Sequence, residues 1–243
     1  MGYLLIIGAK SDIAKAVARK FSQKGYDLYL AARQSDDLKL LANDIVIRTQ
    51  NNVKCLELDI LDYASHEAFY DALEEKPLGV LSAVGYLGEQ IEAQTNSIEA
   101  KKIIDTNYTG IANLLNIIAN DFEKRKSGFI IGISSVAGDR GRKSNYFYGS
   151  AKAAFTTYLS GLRNRLDNSN VQVMTVKPGF VATQMTEMLD LPEKLTAQPQ
   201  EVAEDIYKAH KSGKNIIYTK WFWKWIMLII KNIPEWKFKK MGL

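Results

Sequence analysis

The sequence predicts a single-domain α/β protein, a doubly wound parallel sheet with helices on both faces. Three observations carry that expectation. Short apolar runs of strand length alternate with stretches of helical periodicity along most of the chain, the pattern of parallel strands joined by helices. The first apolar run ends at a glycine and leads straight into a helical stretch, Gly8-Ala-Lys-Ser-Asp-Ile-Ala14. No Pro/Gly/Ser-rich linker, internal repeat or low-complexity segment breaks the alternation, and 243 residues, 47% of them apolar, suffice for one large core.

Residues 3–7 read as the first strand, after which Ala14, Val17, Ala18 and Phe21 recur at helical spacing. Strand, glycine turn and helix is the Rossmann-like arrangement in which backbone N–H groups and a helix N-terminus receive a pyrophosphate. Gly8, Ser11, Asp12 and Ile13 are the candidate contacts. The Asp12 carboxylate would repel a pyrophosphate unless it points away, and Ser11 or Asp12 could instead serve as a plain N-cap. Residues 26–32 form the second strand, followed directly by Arg33. In a dinucleotide fold an acid at this place holds the ribose 2′-hydroxyl, whereas an arginine accommodates a 2′-phosphate. Arg33 therefore points to NADP(H), and Asp36 and Asp37 fall at the next helix start.

Residues 53–58 form the third strand and lead into Asp59-Ile60. A helix follows over residues 62–75, then a strand over 79–83 that runs into Val84 and Gly85. A long helical pattern covers 97–124, with Asn107 inside it. Residues 128–134 read as a buried strand ending in Ser134-Ser135, and 151–166 as a helix. Residues 171–176 make another strand, 184–197 a mobile lid, 201–211 a helix and 216–218 the last strand.

The stretch from Ser135 to Lys152 carries the chemistry. Ser135 sits at a strand end, Tyr148 follows it, and Lys152 lies four residues further on, one helical turn from Tyr148 and on the same face. A free phenol, with a pKa of roughly 10, exchanges protons poorly at neutral pH. A neighbouring ammonium favours the phenolate, so Lys152 is expected to lower the pKa of Tyr148 toward the working range of an acid–base catalyst. The serine hydroxyl can hold a substrate carbonyl against the phenol. Tyr146 is set aside because Ser150, and no lysine, stands four residues beyond it.

With these residues in place the chain resembles the short-chain dehydrogenase/reductase family over nearly all its length. The resemblance implies that Ser135, Tyr148 and Lys152 interconvert a ketone and an alcohol with a nicotinamide cofactor, Lys152 also binding the cofactor ribose. Asn107 would support a proton-relay water next to Lys152. Asp59 and Ile60 match the family's adenine contact. Ala83, Val84 and Gly85 stand where the family has Asn-Ala-Gly, so the asparagine side chain is missing. Lys177-Pro-Gly-Phe-Val-Ala-Thr183 resembles the loop that lies on the nicotinamide, which brings in Pro178, Gly179, Val181 and Thr183. Gly8 holds the first glycine of the family's turn, while Asp12 and Ala14 replace the other two. Residues 85–90 and 137–152 are further similar to members that reduce the keto group of a polyprenyl-phosphate-linked sugar. A soluble or acyl-chain ketone is the alternative substrate, and a catalytically silent NADP-binding regulator the reading from another class. Pairing through the Asn107 and Tyr148 helices, as homodimer or homotetramer, is also expected.

Charge and aromatic content set the end of the chain apart. The net charge is +5, yet from residue 208 onward nine lysines face one acid, Glu235. The body carries no basic groove or reading motif, so nucleic acid is not an expected partner. The single cysteine, Cys55, implies a reducing compartment, and the start lacks the basic region and cleavage site of a signal peptide. Both fit the cytoplasm. Residues 220–243 separate from the body (1–219) as a basic, Trp-rich tail. Its apolar run is about half the roughly 20 residues that span a bilayer. Trp beside Lys suits the membrane–water boundary, so peripheral contact with the inner face of the membrane is one expectation. A subunit contact or closure of the substrate pocket is the other.

Overall fold

The computed structural model describes residues 1–242. Seven parallel strands form the main sheet: β1 (Tyr3–Ile7), β2 (Asp27–Ala32), β3 (Val53–Glu57), β4 (Gly79–Ser82), β5 (Gly128–Ile133), β6 (Val171–Pro178) and β9 (Ile216–Thr219), in the order β3-β2-β1-β4-β5-β6-β9. A second, short pair consists of β7 (Phe180–Val181) and β8 (Thr196–Ala197). The chain builds outward from β1 to β3, then crosses back and builds the other way from β4. In open α/β sheets ligands bind outside the carboxyl ends of the strands at such a reversal.

Alternation along β1 shows why its sequence is apolar throughout. Leu4 and Ile6 face a layer formed by α1 (Asp12–Ser22), α2 (Lys39–Thr49) and α8 (Pro199–Lys211). Tyr3, Leu5 and Ile7 face α3 (His66–Asp71), α6 (Gly110–Arg125) and α7 (Tyr146–Leu166). A strand buried on both faces has no polar side to present. The edge strand β3 is only half-buried and carries Lys54 and Glu57, as an edge tolerates.

Two helical expectations are corrected. The helix over 62–75 reduces to a 3₁₀ turn and the six-residue α3, because Lys76 Nζ donates to the carbonyl of Tyr70 (2.6 Å) and closes the end early. The helix over 97–124 is two helices, α5 (Ser97–Ile104), preceded by the short α4 (Gln90–Ala93), and α6, joined by a π-turn at Asp105–Thr109. Asn107 Nδ2 donates to the carbonyl of Ile103 (2.8 Å), so a side chain enters the backbone ladder there. Gly110 lets α6 approach: a Cβ on it would stand 2.3 Å from the carbonyl oxygen of Ile60. The chain ends in α9 (Trp223–Asn232) and α10 (Glu235–Phe238). Among the described residues no helix is long and apolar enough to cross a membrane.

Candidate active site

The carboxyl end of β5 delivers Ser135 in extended conformation. Its Oγ accepts the Ala137 N–H (3.1 Å) and so opens a tight turn that sends the chain back over α7. Gly138 makes the return possible, since a Cβ there would stand 2.7 Å from the Lys152 backbone. Tyr148 lies in the first turn of α7, with the Ser135 hydroxyl near enough to favour its ionised form. Lys152, one turn on, is buried, its Nζ 5.7 Å from the centre of the Tyr148 ring. That Nζ donates to the carbonyls of Val84 (3.0 Å) and Ile133 (3.3 Å), tying the loop after β4 and the end of β5 to α7. Tyr146 faces solvent. The three predicted side chains thus meet at one place.

Asn107 reaches the same place from the π-turn. Besides its bond to Ile103, Nδ2 donates to the carbonyl of Tyr86 (2.6 Å), and Oδ1 accepts the Tyr86 N–H (3.2 Å). The loop after β4 is thereby clamped. Gly85 sits in the clamp: a Cβ on it would lie 3.7 Å from Asn107 Oδ1 and 3.8 Å from Lys152 Nζ.

The electrostatics correct one expectation. Lys152 does not pull the phenol down. Burial pushes Tyr148 up to about 12, with the Ser135 hydrogen bond acting in the opposite sense. Burial also brings Lys152 down to about 7. The ammonium is aimed at two carbonyls and not at the phenolic oxygen, so the loss of water governs both groups. Tyr148 is consequently a protonated phenol at neutral pH, in the state a proton donor needs.

The side of the crevice expected to take the nucleotide is built on Gly8. Its φ of +77° suits glycine, and a Cβ would meet the Ala83 carbonyl carbon and the Val84 nitrogen at 2.9 Å. Ser11 caps α1, its Oγ accepting the Ala14 N–H at 3.1 Å. Asp12 points away from the turn: Oδ2 accepts the Gln184 N–H (2.8 Å) and Oδ1 pairs with Lys15 (3.3 Å). The repulsion a carboxylate would offer a pyrophosphate is thus diverted, and Ile13 packs against the core. Asp59 holds its own turn by accepting the Leu61 N–H (2.9 Å), and Ile60 is buried.

Arg33 stands exposed at the end of β2. Beside it the structure places Lys10, whose Nζ reaches the Arg33 carbonyl (3.4 Å), Gln34 Oε1 (3.2 Å) and Asp37 Oδ2 (2.5 Å). Sequence reading missed Lys10. The signal was a cation inside the glycine turn, the loop that faces the next strand's end.

The segment after β6 is more structural than its motif implies. Pro178 ends β6 in register with Thr219, and Val181 is buried. Thr183 forms a reciprocal cap with Thr186. One side of Gly179 is covered by Trp223: a Cβ there would lie 2.0 Å from the indole. The expected lid over 184–197 is pinned by the Asp12 bond at its start and the β7–β8 pair at its end. Met185 reaches inward to 3.3 Å from the Gly85 Cβ position. A cavity of about 680 Å³ lies between the lid and the start of α1, bounded by Asp12, Gln184 and Gln198.

The tail closes over the loop between Ser135 and Tyr148. Trp223 and Met227 are buried with Val136, and Phe180 meets the Trp223 ring edge-on at 5.1 Å. Arg140 donates to the carbonyls of Ile230 (2.6 Å) and Ile233 (2.7 Å), pairs with Glu235 (2.9 Å) and stacks on Phe238 (3.7 Å). Asp139 takes Lys177 in a buried ion pair and the Tyr218 hydroxyl at 2.7 Å.

Comparison with known proteins agrees with this architecture. A family profile described as short chain dehydrogenase matches residues 3–194. An uncharacterized oxidoreductase of Mycobacterium tuberculosis (strain H37Rv) is 32% identical over 241 residues, covering 98% of this chain and 96% of the relative. One from Streptomyces coelicolor is 29% identical over 242 residues, covering 98% and 95%. The chain belongs to the short-chain dehydrogenase family of oxidoreductases. Among solved structures, a short-chain dehydrogenase from Sphingobium yanoikuyae in complex with NADPH superposes with a TM-score of 0.84 at 22% identity, covering 97% of each chain. The bulky-bulky ketone specific alcohol dehydrogenase from Comamonas testosteroni gives 0.82 at 20% identity, covering 97% and 96%. At such identities these two show the fold.

Proposed function

We propose that the protein is an NADPH-dependent ketone reductase. The observation that carries the reading is the meeting of Ser135, Tyr148 and Lys152 at the carboxyl end of β5, beside the Gly8–Gly85 crevice. The residues present fit a dinucleotide. Gly8 provides a backbone floor that a Cβ would fill, the α1 N-terminus stands behind it, and Asp12 is turned elsewhere. Gly8, Ser11, Ile13, Asp59, Ile60, Ala83, Val84 and Gly85 would line that site, with Pro178, Gly179, Val181 and Thr183 along the lid side. Arg33 and Lys10 would meet a 2′-phosphate, which favours NADPH. The NADPH in the Sphingobium yanoikuyae structure supports the same choice.

NADPH, when bound, supplies the hydride. The chain's own groups do the rest. The Ser135 hydroxyl donates to the substrate carbonyl oxygen and holds it at the phenol. Tyr148 gives its proton to that oxygen as negative charge develops. Lys152 would bind the cofactor ribose, Asn107 fixes the Gly85 loop around it, and the phenol would regain its proton from solvent.

For the substrate we propose a ketone on a polyprenyl-phosphate-linked sugar. What supports it is the likeness of residues 85–90 and 137–152 to the mycobacterial decaprenylphosphoryl-2-keto-erythro-pentose reductase. A homodimer or homotetramer paired through α6 and α7, working in the cytoplasm, belongs to the same proposal and rests on family likeness. The test is a fluorescence titration with NADPH and NADH, followed by turnover on a panel of keto-sugars and simple ketones. NADPH should bind at least about tenfold more tightly, and Arg33→Ala should erase most of that preference, since each tenfold step corresponds to about 1.4 kcal/mol of phosphate recognition. Tighter NADH binding would overturn the role given to Arg33, and no turnover on any ketone would overturn the reaction.

A further inference from the structure

The two faces of α9 are both apolar, and only one is used. Trp223 and Met227 point into the body. On the opposite side Trp225, Leu228 and Ile229, at helical spacing, are 54%, 52% and 67% exposed. Trp221 just before the helix and Trp236 in α10 are exposed as well, at 72% and 68%. An exposed apolar helix face like the one formed by Trp225, Leu228 and Ile229 marks a surface that something covers. Lysines lie beside it: Lys224 and Lys231, seven positions apart, share one flank of the helix and are exposed, and exposed Lys237, Lys239 and Lys240 follow. The one acid of the tail, Glu235, is neutralised by Arg140.

The orientation of this face is set by the body. Arg140 donates to the carbonyls of Ile230 and Ile233 at the end of α9, adding to the Ile233 N–H bond that Ile230 already accepts. Trp223 seats on Gly179, and its Nε1 donates to the Leu195 carbonyl (3.2 Å). The tryptophans outside are therefore presented by a fixed helix, and the buried side of that helix lies on Val136, next to Ser135.

We propose that the exposed face of α9 and α10 docks the protein on an anionic lipid bilayer. A partner protein surface would offer apolar contact, but a row of exposed cations beside a Trp-rich face matches acyl chains rimmed by negative headgroups. Trp rings sit at headgroup depth and lysines meet the surface charge. Docking in this orientation brings the Ser135 side of the molecule close to the bilayer surface. The proposal stands on the tail alone and does not depend on the substrate or the cofactor.

The test uses the full chain with vesicles of phosphatidylcholine, alone or containing phosphatidylglycerol, read by co-sedimentation and by the blue shift of tryptophan emission. Binding should be roughly tenfold tighter or more with phosphatidylglycerol and weaken with salt. The pair Trp225→Glu and Ile229→Glu should abolish it, and Lys224→Glu with Lys231→Glu should remove the preference for anionic lipid. Both double variants should keep the native thermal midpoint and the native mass by light scattering. No binding to either vesicle overturns the proposal. So does a change of mass in the Trp225/Ile229 variant, which would show a second copy of the chain on that face.

Discussion

Lys152 is held where an ammonium is least stable, buried and short of water. Its folded pKa of about 7 lies below the roughly 10.4 of an unfolded lysine. Between those two values the unfolded chain binds more protons than the folded one, so folding stability rises with pH across that window. The destabilisation is complete below pH 7 and fades toward pH 10. Lys152→Met keeps the stem and removes the charge. It should raise Tm by several degrees at pH 7, with a gain that shrinks as pH approaches 10 and with turnover lost; thermal melts across that range check it. A gain independent of pH would show that Lys152 binds its proton as well in the folded chain as in the unfolded one, so that burial does not lower its pKa. The residue type and spacing of Tyr148 and Lys152 were legible in the sequence, because one helical turn joins them. The sign of the phenol's shift was not. It is set by the burial of the phenol, and Lys152 is turned instead to carbonyls of β5 and of the loop after β4.

At the scale of elements, strands and helices read well wherever burial imposed a period, as in β1, β5 and α6. The π-turn at Asn107 did not read, because a side chain bonding its own helix leaves no mark on periodicity. The docking of α9 was equally hidden, since Arg140 and the carbonyls it caps lie ninety or more positions apart. Arg140 couples the loop between Ser135 and Tyr148 to the tail through several charge-assisted contacts. Arg140→Ala should destabilise the fold by about 2 kcal/mol, a fall in Tm of roughly 4–8 °C for a chain of this size. Hydrogen exchange should rise in α9 and α10 and in residues 136–145, while the far edge β3 stays protected. Exchange confined to the tail would show that the loop holds its shape without it.

For the whole molecule, the alternation of strands and helices implied a parallel sheet, and the glycine turn implied where its crevice opens. What the sequence could not show is how the reversal of strand order brings Asp12 to Gln184 and Gly85 to Lys152. Those contacts are made by topology. The central claim is that Tyr148 supplies the proton in a ketone reduction assembled at that crevice. The most direct measurement compares Tyr148→Phe with the native protein in NADPH binding and in turnover of a reducible ketone. The account predicts NADPH affinity within about twofold and kcat lower by roughly 10²- to 10⁴-fold, the share general acid catalysis supplies. Turnover within a few-fold of native would contradict it.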